Sequence, residues 1–564
     1  MRFFLPVLLL ASLPIVCSGN PHPAERLLAG GSLALCSSAS PRACRDGQAP
    51  RGRGAPQYSL QAARIDEAVG LASIWSPKQA DVLHKDLREL AAILGEHAVP
   101  ASRIESGWDA LCRRRPCAWA GLDDYQRAGV MAALEWSSQG PGEPRLAERV
   151  SLQASTEQGG AEVVRSFVAS AAARAGGRSP RIAFVTASGF DPLDAVDYYT
   201  SLFTEAGAEP LWWPMDAALA RLITEAGDCS ALARQQQVTL GLPDRSRVFP
   251  DLVAMQQSFC ASSARESLPE GIQGVFFAGG DQWRLRRAFF DDADAPYPWL
   301  RALREAVRRG EVVVGGTSAG TAVQSGPGML SNGSPQSALR DGPLEALPPT
   351  PGCARAKRCG AIDEEAFTVW AAGGFGLSGP FLMDTHFSER AREWRLLRAL
   401  AAGPARAAIG VDETSAIRLV DAGKGWALEA IGASGGWLFE AGSRACGELS
   451  GRAHYLAPGR RFAWSDTAGL QRPSRERDDA RESRAMPALA LDASPSQGDA
   501  FARGAVRAAA TRLALGEPSV RLATEEASLV LVRGERSEVW TGTGAHPGIT
   551  HLDFTFKFTE RCGD

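Results

Sequence analysis

Short apolar runs recur along this chain, each closing on glycine or a small polar turn. RLLAGGS at 26–32 is the first. RIAFVTAS at 181–188, GVFFAGG at 274–280, EVVVGGTS at 311–318, FLMDT at 381–385 and AAIGVDET at 407–414 follow. Continuous apolar runs bounded by turns read as strands buried on both faces. Segments of helical spacing lie between them, beginning with 161–175. Strand and helix in alternation to about 420 predict a parallel sheet between helices.

Two insertions interrupt the pattern. Roughly 45–148 separates the first strand from the helix that should follow it. Its Gly/Arg/Pro-rich start, 46–56, reads as a linker. Its later part, 77–136, is helical in pattern, with Trp108, Trp119, Tyr125 and Trp136 as expected packing anchors. Residues 331–372 form a Gly/Pro/Ala-rich loop insertion. After about 430 the pattern changes. WALEAIGASGGWLFEAG reads as a hairpin, 470–500 as loose charged chain, 501–515 as a helix, and ASLVLVRG, SEVWTGTG and HLDFTFKF as strands. The expected organisation is a core at 25–430 with two insertions, then an appended α+β region at 431–564.

A chain of 564 residues exceeds one typical core, which fits that division. Its net charge of −3 gives no signal for nucleic acid. The start, MRFFLPVLLLASLPIVCSGN, has one basic residue before an apolar stretch at 3–16. That is shorter than the about 20 residues a spanning helix needs. Residues 1–19 therefore read as a signal peptide, implying a secreted or periplasmic protein without stable membrane association after cleavage. A lipid anchor on Cys17 is less favoured, since Pro14 and Val16 make a poor lipobox. Beyond Cys17 the cysteines are even in number, as disulfides in an exported chain require. Adjacent pairing, 36–44, 112–117, 229–260, 353–359 and 446–562, is the simplest scheme. Zinc is the weaker alternative, because no histidines cluster with these thiols.

The strongest chemical signal is Gly316-x-Ser318-x-Gly320 at a strand-to-helix turn, the form of a nucleophile elbow. The glycines permit a tight turn, and the helix N-terminus offers free N–H groups beside the serine. An ordinary Gly-rich turn explains the pentapeptide equally well by itself. A serine nucleophile needs a base, usually histidine. Of seven histidines, only His386 lies between His97 and His454, the stretch that holds Ser318. A lone histidine is more often a hydrogen-bonded core residue, but the neighbours Asp384, Ser388, Glu389 and Arg390 speak against an apolar site. A carboxylate should complete the set, and Asp412 and Glu413 both stand at the carboxyl end of the 407–411 run. Backbone N–H groups of Ala319 and of Gly279 or Gly280 would make an oxyanion hole. GGDQ alone also fits a plain strand–turn–helix.

FAGGDQ, GGTSAG, DTHFSER with its spaced arginines, and IGVDET, in that order, resemble the cyanophycinase family of serine peptidases. Peptidase E, an aspartyl dipeptidase, is a more distant relative of that family. The resemblance covers roughly 300 residues. It implies a three-layer α/β/α sandwich like that of class I glutamine amidotransferases, with serine where those have a cysteine nucleophile. It places the nucleophile on Ser318, the base on His386 and the orienting carboxylate on Glu413, with Asp412 the competing residue. It assigns Gln282, Asp384, Thr385, Arg390, Arg392 and Arg395 to a pocket for a β-linked Asp–Arg unit. Thr385 departs from the glutamine common in the family, so a pocket contact is missing or altered. Trp283 and Thr321 are smaller departures.

The pocket has its own physical logic. Arg392 and Arg395 share a face if this segment is helical, and Arg390 joins them only if the helix starts after it. Guanidinium groups clamp carboxylates, and Asp384 can meet a cation. A solvated Arg/Glu helix face is the plainer reading of RAREWRLLR. The implied chemistry is acyl transfer on a peptide substrate, with no metal or organic cofactor required and a homodimer left open. A lipase or esterase fits poorly, since those run Ser, acid, His along the chain and here His386 precedes Glu413.

Overall fold

The computed structural model describes residues 22–71, 75–137, 144–225, 227–472 and 499–560. The segment read as a signal peptide and most of 470–500 lie outside them. The fold is mixed α/β. Five strands run parallel in the order Glu209–Trp212, Arg181–Val185, Gly274–Phe277, Val313–Thr317 and Glu25–Ala29. Side chains alternate across this sheet because strand periodicity is two. Ile182 and Phe184 pack with Val164, Phe167 and Phe203 on one face. Ala183 and Val185 pack with Leu219, Leu285 and Leu303 on the other. Helices therefore cover both faces of the parallel part.

The sheet continues antiparallel from Glu25–Ala29 through Ser415–Asp421, Trp426–Gly432, Arg461–Ser465 and Gly469–Gln471. Here the structure departs from a single parallel sheet. Phe381–Thr385 and Ala407–Val411 pair parallel with each other but begin a second sheet. Its order continues through Gly436–Ala445, Glu448–Leu456, Gly548–Phe558, Ala527–Trp540 and Ser519–Ala523. The apolar runs identify strands, but nothing local in them says which edge each will bond.

The expected hairpin after 425 is absent for the same reason. Trp426–Gly432 belongs to the first sheet and Gly436–Ala445 to the second. Gly432 (φ 101°) and Gly435 (φ 146°) turn the chain from one to the other in a region of backbone space that favours glycine. The boundary expected at 430 thus runs through strands that complete both sheets. The helix Ala505–Ala514 shares a core with Trp394 and Phe556 through Val506, Ala509 and Leu513.

The 45–148 insertion carries the helices Ala62–Val69, Pro77–Leu94, Ala101–Arg114 and Asp124–Leu134 around its own apolar centre. Capping boxes at Ser76/Gln79 and Asp123/Gln126 start two of them. Trp108 is buried and stacks on Trp119 with ring centroids 5.0 Å apart. The other two expected anchors behave differently. Trp136 is 36% exposed. Tyr125 leaves the helical core to donate its hydroxyl to Asp281 at 2.6 Å, which satisfies a polar tip that burial there would strand.

Four of the five expected cysteine pairs stand at disulfide distance: Cys36–Cys44, Cys112–Cys117, Cys229–Cys260 and Cys353–Cys359. The second member of the fifth, Cys562, lies outside the described residues. The loop closed by Cys353–Cys359 docks on the insertion. Arg355 pairs with Asp124, Arg358 meets Asp123 at 2.9 Å, and Pro351 O accepts the Asp124 N–H at 2.8 Å.

Candidate active site

Ser318 sits where Val313–Thr317 turns into the short helix Ala319–Ala322, with φ 54° and ψ −117°. A residue with a Cβ pays strain there, and such strain persists only when its surroundings over-determine it. The flanking glycines do so. A Cβ on Gly316 would collide with Gly320 O, and one on Gly320 with Phe277 O. Ser318 N–H bonds Ala29 O at 3.1 Å. Thr321, one of the departures, donates its hydroxyl to Ala29 O and Gly316 O and so pins the elbow.

His386 follows the strand Phe381–Thr385 at φ 49°, its N–H on Gly30 O at 2.7 Å. Its Nε2 lies 2.7 Å from Ser318 Oγ. Its Nδ1 lies 2.7 Å from Glu413 Oε1. Asp412 faces away, accepting from Ser388 N–H at 3.0 Å, Tyr455 hydroxyl at 3.0 Å and Arg507 at 2.8 Å. Geometry thus joins Glu413, not Asp412, to the imidazole. Sequence reasoning missed the role of Gly31. A Cβ there would strike the His386 ring, so this glycine is the platform on which the imidazole lies. The Gly-Gly ending of the first strand was the available signal.

Gly279 comes close to Ser318: a Cβ on it would lie 3.4 Å from the Ser318 Cβ. Gly280 adopts φ 144°, where a Cβ would meet Ser188 O at 2.5 Å. Ser188 fixes this turn, donating its hydroxyl to Gly279 O at 2.7 Å and accepting the Asp281 N–H at 2.9 Å. The N–H groups of Gly279 and Gly280 at this turn, with that of Ala319, are the candidate oxyanion donors.

The pocket residues divide into two groups. Asp384 is buried and held by Arg395 at 2.6 and 2.7 Å and by Arg392 at 3.4 Å. Arg395 is buried as well and donates to Asn332 O and Gly333 O. Asp384 and Arg395 are thus each other's partner in this structure. Gln282 donates its amide to Leu330 O and Ser331 Oγ at 2.7 and 3.0 Å, bracing the strand Met329–Ser331. The Thr385 N–H bonds Asp384 at 2.8 Å, and its carbonyl accepts from Arg392 at 2.7 Å. The helix Glu393–Ala402 begins after Arg390, as the shared-face reading required. Arg390 is exposed and forms no ion pair among the described residues. Burial and the nearby Arg395 push Arg392 down to about 9.

Burial lowers the His386 pKa below its usual value. The Glu413 carboxylate works against that shift, whereas Arg390 and Arg392 add to it. The arrangement supplies an aligned hydroxyl, an imidazole kept largely neutral and a carboxylate that fixes the ring.

No family model matches the chain. Curated cyanophycinases are similar to it. That of Nostoc sp. is 32% identical over 154 residues, 27% of this chain and 41% of that protein. That of Geminocystis herdmanii is 35% identical over 144 residues, 26% of this chain and 42% of that one. The chain therefore matches less than half the length of these relatives. Among solved structures, a peptidase from an acI-B1 Actinobacterium aligns at 13% identity and TM-score 0.28, over 55% of this chain and 89% of that one. That likeness is too weak to argue from. The likeness to cyanophycinases is thus confined to about a quarter of this chain.

Proposed function

We propose that this protein is an exported serine peptidase that cleaves cyanophycin or related β-aspartyl-arginine peptides through an acyl-enzyme on Ser318. The carrying observation is the unbroken relay Ser318–His386–Glu413, with both contacts at 2.7 Å, on a strained elbow. His386 takes the Ser318 proton as the serine attacks the peptide carbonyl. The oxyanion forms against the N–H groups of Ala319 and of Gly279 or Gly280. His386 then protonates the leaving amine, and water hydrolyses the ester while Glu413 stabilises the imidazolium.

In this reading 25–430 carries the peptidase chemistry on an α/β/α sandwich of the glutamine amidotransferase type, and strands of 431–564 complete its sheets. The disulfide-distance pairs fit an exported protein. No helix among the described residues is long and apolar enough to cross a membrane. Arg390, exposed beside His386, is the cation suited to meet a substrate carboxylate. The engagement of Asp384 by Arg395 removes a contact for the cationic part of an Asp–Arg unit. That observation favours, as second reading, an aspartyl dipeptidase of the peptidase E type. Purified enzyme incubated with insoluble cyanophycin should release β-Asp-Arg, read by mass spectrometry. Cleavage of simple aspartyl dipeptides without such release would select the second reading.

The acid limb of kcat/KM follows from the His386 environment. The base works only when neutral, and its pKa is lowered. Activity should therefore persist below the ordinary histidine value of about 6.5 and fall as pH drops through the lowered one. Arg390→Gln removes a cation that disfavours the imidazolium, so the limb should move to higher pH. A limb that stays in place or moves down would contradict the assignment of His386 as base.

A further inference from the structure

One side chain of the helix Ala505–Ala514 reaches back to the relay. Arg507 Nη1 lies 2.8 Å from Asp412 Oδ2 and 2.7 Å from Glu389 Oε1. Both acceptors are buried, with side chains 0% and 7% exposed. Each holds part of the site with its other oxygen. Glu389 Oε2 accepts the Glu413 N–H at 3.0 Å. Asp412 Oδ1 accepts the N–H of Ser388, two residues past His386, at 3.0 Å. The Gly504 N–H adds a bond to Ser388 O at 2.7 Å. Among the described residues, no other cation pairs with Glu389 or Asp412.

The turns so clamped are strained. His386, Ala391 and Thr414 take φ values of 49°, 50° and 55°. Non-glycine residues keep such conformations only where surrounding contacts over-determine them. Two buried carboxylates side by side repel, and the guanidinium between them offsets that repulsion. Burial works against the Arg507 charge, but Asp412, Tyr455 and Glu389 outweigh it and hold its pKa above the usual range.

We propose that Arg507, from beyond the expected core, is a positioning residue: it ties the turn bearing His386 to the turn bearing Glu413 and so sets the geometry of the relay. This rests on the reading of Ser318, His386 and Glu413 as the catalytic set. Both bonds come from Arg507 Nη1, whose two N–H groups serve one carboxylate each.

The test uses the full chain and a fluorophosphonate probe, which labels an activated serine whatever the natural substrate. Arg507→Ala, at a temperature where circular dichroism shows it folded, should label about a hundredfold more slowly, the cost of a small misplacement. Guanidinium added at a non-denaturing concentration should restore part of the rate, and Arg507→Lys should be intermediate. Among the described residues, Arg503 stands 3.8 Å from Glu413, and the groups acting on His386 are Glu413, Arg390 and Arg392. Loosening Glu413 removes the one that raises its pKa, so the acid midpoint of labelling should fall. A folded Arg507→Ala that labels at the wild-type rate overturns the proposal. So does slower labelling with an unmoved midpoint and no response to guanidinium. If Arg507→Ala does not fold, the rate and midpoint of Arg507→Lys decide by the same criteria. Wild-type protein labelled no faster than Ser318→Ala would instead remove the catalytic reading itself.

Discussion

Ser318→Ala and His386→Ala should each lose nearly all turnover, on the order of 10⁴-fold or more in kcat, while keeping the thermal stability of the parent. The double variant should be little worse than either, because hydroxyl and imidazole act as one unit. Glu413→Gln should be milder, since the imidazole keeps its reach to Ser318 and loses only the anion that orients and stabilises it. Asp412→Asn is the informative control. Its carboxylate touches Ser388, Tyr455 and Arg507 but not the imidazole. The isosteric amide keeps an acceptor for the Ser388 N–H, so activity per folded molecule should exceed that of Glu413→Gln. Steady-state kinetics normalised to folded fraction settle the order. Were Asp412→Asn the more damaging while Arg507→Ala stayed active, the carboxylate would be misassigned.

What the sequence made legible follows the range of the interactions involved. The elbow is a local object: strand, two glycines, serine and helix start lie within 311–322, and the glycines act on atoms a few residues away or on the adjacent strand. The order His386 then Glu413 was readable because each stands at the end of an apolar run. The choice of Glu413 over Asp412 came only through the resemblance, since neighbours in sequence point to opposite sides and local pattern does not say which side holds the imidazole. Sheet membership was hidden for the same reason. Ala407–Val411 looks like the other buried strands, yet its partners are Phe381–Thr385 and Gly436–Ala445 rather than the first sheet. Tyr125 with Asp281 and Arg507 with Glu389 span 156 and 118 residues, and neither leaves a trace in local pattern.

The arginine-rich segment admits two accounts, pocket or structural brace, and a test there carries the second large effect. Read as a pocket, Asp384 and Arg395 face the substrate, and their loss should raise KM with little change in melting temperature. The structure predicts the reverse. Asp384 is 2% exposed, and Arg395 joins its strand to the loop at Asn332 and Gly333 while lying over the Phe367 ring. Burial opposes the Asp384 charge, but Arg395 and then Arg392 outweigh it and keep the carboxyl below the usual range. A group with a depressed folded pKa contributes stability above its unfolded value, about 3.9 for aspartate, and loses it as pH falls through the lower folded one. The contribution is therefore complete at neutral pH. Asp384→Ala should destabilise the protein by about 3–5 kcal/mol, because it leaves the Arg395 charge buried without its anion. Pairing Asp384→Ala with Arg395→Met should cost less than the two changes summed, since no lone charge remains. Arg390→Ala, at an exposed position with no ion pair among the described residues, should leave the melting temperature unchanged and raise KM. Denaturant unfolding at pH 7 with parallel kinetics separates the two accounts. An Asp384→Ala variant with the parent's stability and only a raised KM would return that carboxylate to the pocket.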